Sequence, residues 1–96
     1  MKWIVSVHEA KDGHLDEFRV LGWSLDRPDI EFQWQKLVIV NAILEGREYR
    51  TAIKNEDGEF VEGADVIVVE HEDGDYDLRT KANDVIEDNL GELPRF

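Results

Sequence analysis

The residues in this sequence that could do chemistry are carboxylates, three histidines and a few bases. Asp73-x-Asp75-x-Asp77, with Asp84 at the twelfth position, imitates a calcium loop. The imitation breaks at the sixth position, where Leu78 replaces the glycine of the sharp turn and Leu78-Arg79-Thr80 reads as strand. Loose cation condensation on an acidic rim is what remains. His8, His14 and His71 lack the spacing of a ligand motif, and His8-Glu9 and His71-Glu72 are neighbours that diverge on a strand, so they read as surface histidines. In the absence of cysteine the nucleophile candidates are Ser6, Ser24, Thr51 and Thr80, none in a glycine elbow or beside a histidine. With 23 acids in the chain, no single pair of carboxylates stands out as an acid–base pair. Gly58 and Gly63 bracket Glu59 and Glu62, whose charges would repel a phosphate. Arg79 is the most distinctive base: next to Tyr76 it could hold an anion, whereas Asp77, Glu70 and Asp88 around it favour ordinary ion pairing. The expectation is a protein with no catalytic residues, no metal and no cofactor.

The formal charge of −12 is unevenly placed. Residues 1–50 hold nine acids and seven bases, and residues 51–96 hold fourteen acids and four bases. From Asn55 to Asp77 there is no lysine or arginine; Glu56, Asp57, Glu59, Glu62, Glu70, Glu72, Asp73, Asp75 and Asp77, together with Asp65, form the candidate acidic surface. Direct binding to nucleic acid or to an anionic membrane is disfavoured, because phosphate affinity comes from lysine and arginine. The ordinary role of such a run is a solvated, solubilising surface. Zero cysteines exclude disulfides, thiolate catalysis and cysteine-ligated zinc. The opening MKWIVSVHEAKDG is short, alternating and followed by no small-residue cleavage site, so the reading is a cytoplasmic protein with neither signal peptide nor membrane span.

The elements that must position these groups fit one domain, residues 1–96. Lys2 to His8 alternates as a strand, with Trp3, Val5 and Val7 on one side and Ser6 and His8 on the other. Asp12-Gly13 turns the chain into a second strand, Glu17 to Trp23, with Phe18 and Val20 opposite Leu21. A helix is then expected up to Gly46, capped by Asp26 and opened by Pro28, Asp29 and Glu31. Its middle, LVIVNAIL, also reads as a buried strand, and length and caps favour helix. As a helix it is apolar around most of its girth, with Phe32, Ile39 and Ile43 near one direction and Trp34, Leu37 and Val38 near another. A small domain covers one side of such a helix; a homodimer or a curved sheet would cover the other. Tyr49 to Lys54 alternates, Ala64 to Glu70 reads as a central strand covered on both faces, and Tyr76 to Thr80 points Tyr76, Leu78 and Thr80 inward. The fold class is therefore α+β, a small antiparallel sheet of about five strands in the order β-β-α-β-β-β with one helix packed on it.

The closing stretch supplies a C-terminal clasp. Val85-Ile86 reads as a brief extended piece, and Leu90, Leu93 and Phe96 recur every third residue before and after Pro94, folding back on the sheet while Asp88 and Asn89 satisfy backbone groups at the corner. The combination Tyr76-x-x-Arg79-Thr80 and Asp88-Asn89-Leu90-x-x-Leu93-Pro94, preceded by Gly46-x-x-Tyr49, resembles the small bacterial proteins of domain of unknown function 3892. The likeness is in good register over the second half and looser over the first. The sequence departs from it at Ala82-Asn83-Asp84, where relatives tend to carry Ala-Asp-Gly, and in a heavier acidic run. The resemblance implies a compact α+β domain and no assigned activity. Two functions are consistent with these features. One is a non-enzymatic protein-interaction module of unknown partner, with Trp34, Leu37 and Val38 as its contact surface. The other is an acidic nucleic-acid mimic that occupies a basic groove on a partner protein.

Overall fold

Period-two alternation builds most of the chain into one sheet. A computed structural model describes residues 1–22, 31–82, 85–87 and 89–96. Its strands are β1 (Lys2–Glu9), β2 (Leu15–Leu21), β3 (Glu31–Gln35), β4 (Tyr49–Lys54), β5 (Phe60–Glu70), β6 (Tyr76–Ala82) and β7 (Val85–Glu87). One helix, α1 (Lys36–Leu44), lies between β3 and β4, and a 3-10 turn (Asn89–Glu92) precedes the closing residues. The strand order across the sheet is β3-β2-β1-β4-β5-β6-β7. All neighbours are antiparallel except β1 and β4, which run parallel through Lys2↔Tyr49, Trp3↔Arg50 and Ile4↔Thr51.

The fold is α+β, but the sheet is mixed and seven-stranded rather than antiparallel and about five-stranded. Two local patterns account for the difference. Glu31-Phe32-Gln33-Trp34-Gln35 alternates like a strand and pairs with β2, so the expected helix begins only at Lys36. The expected cap and first turn at Asp26, Pro28 and Asp29 lie outside the described residues, as do Trp23 and Ser24. At the other edge, Val85–Glu87 adds a strand to β6. Because β3 leads into α1, the helix carries the chain back over the sheet and delivers β4 beside β1, which makes that pair parallel.

Three hairpins close the same way. Ala10, Asn55 and His71 each donate their N–H to the carbonyl four residues on and accept from a glycine three residues on. In the third, Gly74 sits at φ 88°, a region open to glycine at little cost. Gly46 ends α1 at φ 96°, with its N–H on the Ile43 carbonyl and that of Arg47 on the Ala42 carbonyl.

The main core lies between one sheet face, α1 and the closing segment: Ile4, Val7, Phe18, Val20, Ile39, Val40, Leu78 and Leu90 meet there. A smaller cluster of Val5, Leu21 and Ala52, flanked by Trp3 and Phe60, occupies the opposite face. Val7 therefore parts from Trp3 and Val5, which it was expected to join. The register of β1 on β2 slips between Ile4 and Ser6, and one extra residue in a strand turns the residues beyond it to the other face. Val66 is buried in β5, while Ile67, Val68 and Val69 are half-buried, so that strand is interior to the sheet yet not fully covered on both faces.

Candidate functional site

β1 changes partners along its length. Its first half pairs with β4; at Val7 the closing segment takes over, with the Val7 N–H donating to the Pro94 carbonyl at 2.9 Å and the Phe96 N–H to the Val7 carbonyl at 3.0 Å. Leu90 and Leu93 fill the space beneath and are 1% and 3% exposed. Arg95 Nη1 donates to the carbonyls of Gly91 and Leu93 at 2.9 and 3.0 Å, and these bonds bind the 3-10 turn to the final residues. Phe96 is half-buried between the Arg19 guanidinium, 4.3 Å from its ring centre, and the His8 ring at 5.7 Å. Asp88 and the side chain of Asn89, expected to serve the corner, lie outside the described residues.

Where β1 leaves β4, a cavity of about 420 Å³ opens between the β1–β2 turn and the β5–β6 turn. Phe18, Leu78 and Leu90 floor it; Lys36, Arg79 and Arg95 line it together with Glu9, Asp75 and Asp77. Arg79 Nη2 pairs with Asp77 Oδ2 at 2.8 Å, the pairing that its acidic neighbours favoured. His71 Nε2 is 3.7 Å from the same carboxylate oxygen, and His14 stands on the opposite wall.

His8 Nδ1 lies 2.7 Å from Asp16 Oδ1. The hydrogen bond to Asp16 raises the His8 pKa above its ordinary 6.5 and holds the Asp16 carboxyl below its ordinary range. The two residues sit almost symmetrically about the Asp12-Gly13 turn, so the hairpin expected from the sequence was enough to bring them together. On the other face, Glu62 accepts from the Trp3 indole N–H at 2.9 Å and from Arg50 Nη1, and these bonds lower its pKa. Arg50 Nε is 2.8 Å from Asp65 Oδ1 but off the line of its N–H, so that contact is electrostatic.

The anticipated interface does not form one helical face. Trp34 belongs to β3, stacked on Phe32 at 5.1 Å with the Lys2 ammonium 5.1 Å from its ring, and packs against the main core. Leu37 and Val38, on α1, are 60% and 47% exposed, and Leu44 is 58% exposed. Most of the acidic residues gather at the two ends of β5, Glu56, Asp57 and Glu59 in or beside one turn and Glu70, Glu72, Asp73, Asp75 and Asp77 at the other, with Glu62 and Asp65 on the strand between. Eleven residues of strand separate these groups by on the order of 30 Å. Asp73 Oδ1 accepts the Asp75 N–H within its turn, and Asp84, the last position of the calcium-like pattern, lies outside the described residues. Among the described residues no group of three or more histidine or carboxylate side chains is placed to hold a metal ion, and no helix is long and apolar enough to cross a membrane.

A family model for proteins of unknown function, DUF3892, matches residues 3–94. The chain belongs to this family. The match takes in β1 and β2 as well as the second half that carried the resemblance. No curated protein and no solved structure matches the chain significantly.

Proposed function

We propose that this DUF3892 member is a non-enzymatic interaction module that associates with a second copy of itself through α1. The observation that carries the proposal is the exposure of Leu37, Val38 and Leu44 on a helix that contains no acid. Two chains of net charge −12 repel each other over most of their surfaces. α1 has one charged side chain, Lys36, so two copies meeting there bring together apolar surface with the least like-charge cost. Trp34 contributes by holding the entry to α1 against the sheet rather than by direct contact.

Sedimentation equilibrium tests this. The expected mass is twice 11.2 kDa, falling to 11.2 kDa when Val38→Glu places a carboxylate on the face. A monomer at all concentrations, or a dimer indifferent to that change, removes the proposal. The acidic-mimic reading has weaker support, because most of the carboxylates gather at the two ends of β5 and the two between them are engaged, Glu62 by Trp3 and Arg50 and Asp65 by Arg50. A salt-released nucleic-acid-binding protein captured from extract would restore it.

A further inference from the structure

The sheet has two edges, and the strands there, β3 and β7, are guarded unequally. An edge strand presents backbone N–H and C=O groups that its inner neighbour does not take. β7 is three residues long, too short to template much pairing. β3 runs five residues in unbroken register with β2 and carries no lysine, proline or bulge, the usual means of blunting an edge. Its one charge is Glu31, and Phe32 beside it is 40% exposed. Among the described residues no second strand pairs with β3. Charge favours the same edge. β1, β2, β3 and α1 belong to residues 1–50, with nine acids and seven bases, whereas β5, β6 and β7 belong to residues 51–96, with fourteen acids and four bases. Two copies joined at β7 would bring their acid-rich ends together. Joined at β3, they hold their β5 strands nine strand spacings apart, about 40 Å, well beyond the screening length of about 8 Å at physiological salt.

Building on the second copy proposed for α1, we infer that this copy also pairs along β3, antiparallel and centred on Gln33, so that the two sheets become one. Glu31 then faces Gln35 of the partner subunit, Phe32 faces Trp34 of the partner subunit, and Gln33 faces its own counterpart. This register alone pairs all five residues, and it sets no like charges opposite each other. Phe32 and Trp34, already stacked within one chain, gain aromatic cross-strand pairs. The two-fold axis of such a pair is perpendicular to the sheet, so the α1 helices, each starting directly after β3, lie on one common face of the joined sheet.

Cysteine cross-linking tests the pairing. The chain has no cysteine, so Gln33→Cys, at an exposed position whose side chain makes a 3.4 Å hydrogen bond to Glu17, installs the only thiol. On the axis the two Cα atoms stand about 4.5–5.5 Å apart, within the span of a disulfide. Glu31→Cys and Gln35→Cys each leave like thiols about 13 Å apart along the strands and serve as controls. Under mild oxidation of the folded variants, Gln33→Cys should yield at least about tenfold more covalent dimer than either control on non-reducing electrophoresis. No cross-link at position 33, or equal cross-linking in all three variants, overturns the proposal. The unaltered protein gives a measure that needs no variant: the β3 amides that point away from β2 should exchange hydrogen at least about tenfold more slowly as concentration rises through the dimer range. Exchange indifferent to concentration overturns the proposal. A monomer at every concentration removes both this pairing and the α1 contact, and a dimer that forms no cross-link at position 33 removes the pairing alone. A cross-link that survives Val38→Glu supports the pairing and removes the α1 contact alone.

Discussion

Helix α1 and the closing segment are both short, leucine-bearing pieces laid on the same sheet face, and they end in opposite states. Leu90 and Leu93 disappear into the core, whereas Leu37 and Leu44 stay in water. Both segments have apolar residues to spare; the difference lies in hydrogen bonding. The closing segment is tied to β1 by two backbone bonds at Val7 and braced internally by Arg95, so its leucines are held against the sheet. α1 satisfies its own backbone, buries Ile39 and Val40, and has nothing that obliges the rest of its girth to follow.

The largest test of this contrast is Leu90→Ala, which should lower unfolding free energy by about 2–5 kcal/mol in urea titration, as expected for a fully buried leucine. A loss below about 1 kcal/mol would put the closing segment in the same class as the exposed helix face. Phe96→Ala removes the contacts to Arg19 and His8 and should cost about 1 kcal/mol by the same measurement. Leu44→Ser should change the stability of the dilute protein by no more than about 0.5 kcal/mol, and a larger loss would mean that α1 is covered within one chain. The smallest effect is on protonation. His8 is raised and Asp16 lowered, so their pairing favours the folded state above the ordinary carboxyl range and below 6.5, fading as pH falls through the depressed Asp16 value or rises through the elevated His8 value. In Asp16→Asn the His8 midpoint, read by proton NMR, should fall toward 6.5.

The parts of the molecule written in local chemistry were readable in advance. The Asp12-Gly13 turn, the Gly46 stop, the inward set of β6 and the apolar spacing of Leu90 and Leu93 each depend on a few adjacent residues. The parts that depend on distant partners were not. β3 was absorbed into the helix because a plausible cap at Asp26 outweighed a five-residue alternation. The parallel pairing of β1 with β4 and the slip after Ile4 have no local signature, and together they decide which side chains face the core. The cavity was hidden for the same reason: Lys36 and Asp75 come from separate hairpin-and-helix neighbourhoods that only the completed sheet brings to one place.

The divided pairing of β1 also orders events in time. β1 waits for residues 49–51 on one half of its edge and for residues 94–96 on the other, so it is among the last strands to be completed. Contacts of such long sequence separation slow the search for the native arrangement, and until they form that edge is open to strands from other molecules. The net charge of −12, the same on every copy, opposes such pairing between molecules.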